Sequence, residues 1–136
     1  MSEFSDYYEN QIINHMLRAQ AFTPATQYFV ALFTADTGLE SNAPTAEIAT
    51  GAYARQQVTL DAASGGASAN SAVLTFPTAT ANWGTVSHCA IVDHGTNVTW
   101  GTNVNVLMWS PLDVSKLVEN GDTFKINTGD LDITVQ

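Results

Sequence analysis

Residues 74–93 read Leu-Thr-Phe-Pro-Thr-Ala-Thr-Ala-Asn-Trp-Gly-Thr-Val-Ser-His-Cys-Ala-Ile-Val-Asp, and this stretch decides the fold. Leu74 and Phe76 close an apolar alternation. Pro77 then removes a backbone donor, so strand pairing stops there. Residues 78–82 are small and polar, hence a loop. Trp83 is a large apolar anchor beside Gly84, which is free to take a positive φ. After it, Val86, His88, Ala90 and Val92 share one side of a strand, with Ser87, Cys89, Ile91 and Asp93 on the other. The pattern is strand, irregular crossing, strand. It describes a two-layer β core with a connection across it and contains no catalytic motif.

Working outward, residues 27–34 are the strongest strand: short, almost wholly apolar and aromatic-rich, so central and covered on both faces. Residues 35–51 read as a long surface loop with a brief helical turn at 46–49, and a loop of that length often marks a contact surface. Residues 53–60 alternate as a half-exposed or edge strand, and 62–71 read as a turn. Residues 98–100 and 103–110 continue the β pattern, the latter ending before Pro111. Residues 112–118 follow with a mixed period. Asn120-Gly121 is a hairpin signal, and 123–126 and 131–135 flank a further turn. The sum is an all-β, antiparallel, jelly-roll-like β-sandwich of about eight strands with an N-terminal α-helical arm. The arm is expected at 1–20 and the sandwich at 21–136.

Residues 2–18 carry the one strong helical period. Phe4, Tyr8, Ile12 and Met16 recur every four residues, with Ile13 and Leu17 widening the stripe. Ser2 fits an N-cap. Glu3, Asp6 and Glu9 lie toward the positive end of the helix dipole and Arg18 toward the negative end. A helix this short is marginal alone in water. Its apolar face must therefore dock, either on its own sandwich or on a neighbouring subunit.

A chain of 136 residues fits one domain. Only 12% of residues are charged, against roughly 25% in an average domain. Thr, Asn, Ser and Gln must supply the polar surface. Thirteen acids against four bases give a net charge of −9. Four scattered cations make no basic patch, so neither nucleic acid nor an anionic membrane is an expected partner. No apolar run is long enough to span a bilayer. Acids occupy the place where a signal peptide needs basic and then apolar residues, so synthesis and first folding in the cytoplasm are expected.

His88, Cys89, Asp93 and His94 form the one cluster with chemical potential. Alternation puts His88 and Cys89 on opposite faces, and His88 lies roughly 20 Å from His94 along an extended strand. A polar-facing strand histidine, a buried thiol and a turn aspartate explain them more cheaply. Asp122, Asp130 and Asp132 lack the spacing of a calcium loop. No phosphate loop, nucleophile elbow or dinucleotide fingerprint is present, and no catalytic group, cofactor or metal is expected. Trp100 and Trp109 are candidate sugar-stacking residues, although tryptophan more often fills cores and interfaces. Tyr53 and Arg55 share one face of a polar strand. With Phe4, Tyr8, Ile12 and Met16 of the arm, they are the candidate subunit or coat contacts.

The run from Phe76 to His88 resembles the signature of a family of small tailed-bacteriophage virion proteins. So do Leu32-Phe33-Thr34-Ala35-Asp36, Tyr53-Ala54-Arg55-Gln56, Ala62-Ala63-Ser64-Gly65-Gly66 and Gly121-Asp122-Thr123-Phe124. The opening Phe4-Ser5-Asp6-Tyr7-Tyr8-Glu9-Asn10 is also similar. The resemblance runs through nearly the whole chain, and its motifs are structural. It implies a virion component without enzymatic activity, with the major capsid protein or other virion proteins as partners. Two roles fit. One is a capsid decoration (cement) protein, oligomerising as a trimer and clamping the coat lattice. The other is a tail or tail-fibre component that binds host-surface glycans. A compact domain without shaft repeats, an amphipathic arm and a low-charge surface favour decoration.

Overall fold

The computed structural model describes residues 3–135. β2 (Tyr28–Phe33) is flanked by β6 (Gly84–Val92) on one side and the short β3 (Gln56–Val58) on the other. β7 (Val106–Val118) pairs with β6, and β1 (Glu3–Phe4) pairs with β7, giving an antiparallel sheet in the order β1-β7-β6-β2-β3. Two two-stranded ribbons form the second layer. One pairs β4 (Ala67–Ala69) with β9 (Asp132–Thr134); the other pairs β5 (Leu74–Thr75) with β8 (Lys125–Ile126). The protein is all-β and antiparallel, with one N-terminal helix, α1 (Asp6–Arg18).

Both faces of the large sheet are covered. Val30, Leu32, Val86, Cys89 and Ile91 meet Leu74, Phe76, Phe124 and Ile126 from the ribbon side. Val86, expected on the side of His88, Ala90 and Val92, joins Cys89 and Ile91 instead, because the irregularity between Val86 and His88 interrupts the alternation. On the opposite face Ala31, Phe33, Ala90, Val92 and Val106 pack under Leu39 and Val104, with Trp100 and Trp109 at the margin. Each well-buried Val, Leu or Phe contributes about 1.5–3 kcal/mol. The connection at residues 76–84 runs as its sequence requires. Phe76 and Trp83 are buried, Trp83 Nε1–H donates to Gly51 O at 2.9 Å, and Gly84 takes φ 88° to start β6.

β7 departs from the expected pattern. Pro111 does not end it; the strand continues to Val118. Two steps along β6, Val86 to His88, match five along β7, Lys116 to Pro111. The proline sits at this irregularity, beyond the reach of β1, where no ladder partner needs its N–H. A smaller bulge lies between the pairs Ile91↔Met108 and Val92↔Val106. It turns both Leu107 and Met108 toward the ribbon-side core.

Other segments also differ from the sequence reading. Residues 67–69 form β4, because their partner Ile133 and the core behind it outweigh the weak strand preference of Ala-Ser-Ala. Of residues 53–60, Gln56–Val58 alone is a named strand. Residues 98–100 are not a strand; Trp100 makes a single bridge to Val104. Residues 46–49 are not a helical turn but run beside β2, with Glu47 bridged to Phe33. The helix starts at Asp6, and Phe4 belongs to β1. Ser2, expected as the cap, lies outside the described residues. Ser5 is the cap, accepting from the Tyr8 N–H at 3.3 Å.

The ribbon layer is tied by Asn70, which is fully buried. Its Nδ2 donates to Ala72 O at 2.8 Å and Asn127 O at 2.9 Å, and its Oδ1 accepts from Gly129 N at 3.1 Å and Leu131 N at 2.9 Å. All four side-chain positions are used. Asn70→Ala leaves buried backbone groups without partners, so the folded state loses about 3 kcal/mol. Urea unfolding followed by tryptophan fluorescence is expected to show a lowered midpoint with an unchanged slope.

Candidate interaction surface

Tyr53 and Arg55 lie inside the chain, just ahead of β3. β3 pairs only with Tyr28, Phe29 and Val30, which leaves the far half of the β2 edge without a strand. Segment 46–48 and Tyr53 complete it. Thr34 N donates to Ala46 O at 3.0 Å and Ile48 N to Leu32 O at 3.2 Å. Leu32 N–H donates to the Tyr53 hydroxyl at 2.9 Å. That hydroxyl in turn donates to Glu47 Oε1 at 3.0 Å. Arg55 holds Glu47 with two parallel bonds, Nε to Oε1 and Nη2 to Oε2, each 2.7 Å. Its Nη1 donates to His94 O at 2.7 Å and Asn97 O at 2.8 Å. The guanidinium therefore fastens the 94–97 loop to the sheet. The bridge is dry: the two side chains are 3% and 12% exposed.

This network also determines what Trp100 presents. The Arg55 guanidinium carbon stands 4.8 Å from the ring centroid, and Phe33 is tilted against the same indole at 6.2 Å. Trp100 lines a shallow depression of about 480 Å³ with Glu47, Tyr53 and Val98. Trp109 is tethered as well, its Nε1–H donating to Glu40 Oε2 at 3.0 Å. Asp6, Glu9 and Glu40 bring carboxylate oxygens within 4.8 Å of one another, all exposed. The positive end of α1 and the Trp109 N–H relieve their repulsion.

The titratable cluster of β6 separates as alternation requires. His88 Nδ1 meets Ser87 Oγ at 2.8 Å, and its ring lies beside Trp109. Cys89 faces the ribbon-side core, and burial pushes its thiol up to about 11. His94 Nδ1 accepts from Thr96 N and Asn97 N, and Asp93 accepts from Asn105 N and Nδ2. These groups order loops; they do not converge on one point where a substrate could react.

The arm divides at its middle. Its root belongs to the domain: Ser5 is fully buried, its N–H donates to Leu107 O at 3.0 Å, and its hydroxyl donates to Val106 O. Phe4 and Tyr8 meet edge to face at 5.6 Å and pack on the core. Ile12 is half-buried, whereas Ile13, Met16 and Leu17 are 50%, 70% and 80% exposed. Of the stripe read from sequence, Phe4 and Tyr8 meet their own domain and Met16 does not. The tip is closed by Ala19 at φ 54°, with the Ala19 and Gln20 N–H groups both returning to Asn14 O.

An open groove of about 720 Å³ runs between the outer half of β7 and the β5–β8 ribbon, with Cys89, Leu112, Phe124 and Leu131 among its lining residues. Its rim includes Val114 and Leu117, 65% and 62% exposed. No sequence signal marked this groove, because it exists only where the long irregularity carries β7 past β1. Glu47 escaped notice for a similar reason: a loop glutamate eight residues from its arginine has no distinguishing pattern.

A family model described as podophage GP4 fiber I protein gp80 matches residues 3–134. No curated protein matches the chain.

Arg55→Ala strands Glu47 and Tyr53 in a dry site, so a loss of about 3–5 kcal/mol is expected in chemical denaturation. Alkaline pH is expected to act through the thiol and the phenol. Burial raises both Cys89 and Tyr53, so the folded state keeps protons that the unfolded chain gives up. The Cys89 contribution is complete below 9.0, the value of an unburied thiol, and disappears as pH rises through about 11. Across that window each pH unit removes about 1.4 kcal/mol for the thiol alone. Urea midpoints at pH 8, 9.5 and 11 measure the slope, and Cys89→Ala is expected to flatten it.

Proposed function

The chain belongs to the podophage GP4 fiber I protein gp80 family, and from that premise we propose that it serves as a non-catalytic fibre component attached to the phage tail. It is a structural protein of a tailed-phage virion, assembled in the host cell, and it works in contact with other virion proteins. The observation that carries the fibre reading is the family match across residues 3–134. Three features of the chain support adhesion over chemistry. Its histidines and lone thiol are committed to separate loops and core contacts. Its depressions are shallow or open and lined by mixed side chains. Its apolar arm tip extends from a rigidly held root.

Decoration of the coat lattice is the second reading. The folded part is one brick without shaft repeats, and such a brick adheres to a lattice as readily as to a tail. The family's description shifts the balance to the fibre. The surface contacts in either case come from the arm tip, because Tyr53 and Arg55 are engaged internally. Stacking of host glycans on Trp100 is the weaker accessory role, since Arg55 already occupies one side of the ring.

Electron microscopy of particles carrying a small gold-binding tag at residue 136 tests the location. Label on the tail fibres is expected. Label spread over the capsid faces overturns the fibre reading and leaves decoration.

A further inference from the structure

Two faces of this chain carry exposed apolar side chains at once, one convex and one concave. The convex face is the arm tip, Ile13, Met16 and Leu17, spaced three and four residues apart on one side of α1. The concave face is the groove beside the outer half of β7, with Val114 and Leu117 exposed at its rim and Phe124 lining it. The arm does not fill its own chain's groove: α1 has no buried residue, and both faces stand exposed together. We propose that the arm tip of one copy docks in the β7 groove of a second copy, so that the protein assembles by head-to-tail arm exchange.

Charge selects a second copy as the occupant. The protein carries −9 overall, yet no carboxylate occurs between Glu9 and Asp36. His15 and Arg18 are the basic side chains of that stretch, both in the last turn of α1. The groove has the opposite balance, with Asp113, Asp122, Asp130 and Asp132 against Lys116 and Lys125. An acid-free apolar tip thus faces an acidic, apolar-rimmed groove of the same chain. The pairing brings opposite charges together and hides surface that a monomer leaves in water. Ser5 and the left-handed Ala19 cap hold the helix at both ends, so docking requires little further ordering. A contact between two different patches is heterologous. It closes a ring if the rotation is right and otherwise propagates as a filament. Either outcome suits a fibre component, and in that respect the inference rests on the virion reading above.

Mixed single-cysteine variants of the purified full chain supply the test. Met16→Cys marks the arm and Val114→Cys the groove; because the native Cys89 lines the groove, both variants also carry Cys89→Ala. Under mild oxidation, the mixture of the two variants is expected to give a disulfide-linked dimer, and neither variant alone is expected to do so. A dimer from Met16→Cys alone, which means arm against arm, overturns the proposal. So does a double variant that links within one chain. Arg18→Glu is expected to raise the assembly concentration at least tenfold in sedimentation at low salt, with Asp113→Lys restoring part of the loss. Leu117→Asp is expected to give monomers that keep the wild-type unfolding midpoint. A wild-type chain that stays monomeric at every concentration overturns the inference. All these readouts use isolated protein, so they are independent of where the tagged chain lies on the particle.

Discussion

Backbone groups buried without a strand partner must find one elsewhere, and that requirement organises this protein. The central strands are covered on both faces, so water cannot serve where pairing lapses. It lapses twice. Along β2 the short β3 runs out, and the Tyr53 hydroxyl takes the Leu32 N–H. At the Leu107 bulge the ladder shifts, and side chains distant in sequence repair it. Asn42 Oδ1 accepts the Val106 N–H at 2.7 Å, and Ser5 bonds to the carbonyls of Val106 and Leu107. Asp93 Oδ1 takes the Asn105 N–H at 2.6 Å. Among the described residues no buried side-chain nitrogen or oxygen is left without a partner.

These repairs explain how a chain with so much loop stays ordered. Each repairing side chain sits in, or is held by, a long connection. Asn42 lies in the 34–55 segment at φ 59°, a conformation asparagine tolerates better than most residues. Arg55 and Glu47 clamp the same segment, and Arg55 reaches on to the 94–97 loop. The ion pair also fixes Glu47, which accepts from the Tyr53 hydroxyl and so holds it where Leu32 needs it. The root of the arm is drawn in by the same need, since Ser5 serves the bulge and the helix together. The arm therefore begins rigidly and ends in an uncovered apolar face.

The strands around residues 27–34 and 84–93 were plain in the sequence because alternation and β-branched residues report burial directly, but the face of Val86 was not, since the irregularity before His88 turns it to the side of Cys89. The helix was plain too, though its cap was misplaced by three residues, from Ser5 to Ser2, because Phe4 fits the apolar spacing equally well as a strand residue beside Met108. β4 was hidden, since Ala-Ser-Ala has no preference and is a strand only through Ile133. Pro111 was misleading: its missing N–H breaks a ladder only where there is a partner to lose. Tyr53 and Arg55 looked like surface contacts because an alternating polar strand has the composition of an interface. Their partners lie up to 42 residues away and could not be paired by spacing.

By itself the sequence determined the class of the protein. Local preference and periodicity are properties of neighbouring residues, and they specify short antiparallel strands and one amphipathic helix. The tertiary structure alone decided which polar residues would be buried as repairs and which apolar residues would remain open. Those outcomes depend on where strands end relative to one another. Two register shifts in β7, invisible as composition, have separate effects: the one at Leu107 creates the need for Asn42 and Ser5, and the longer one between Pro111 and Lys116 lies where the groove opens beside Leu117.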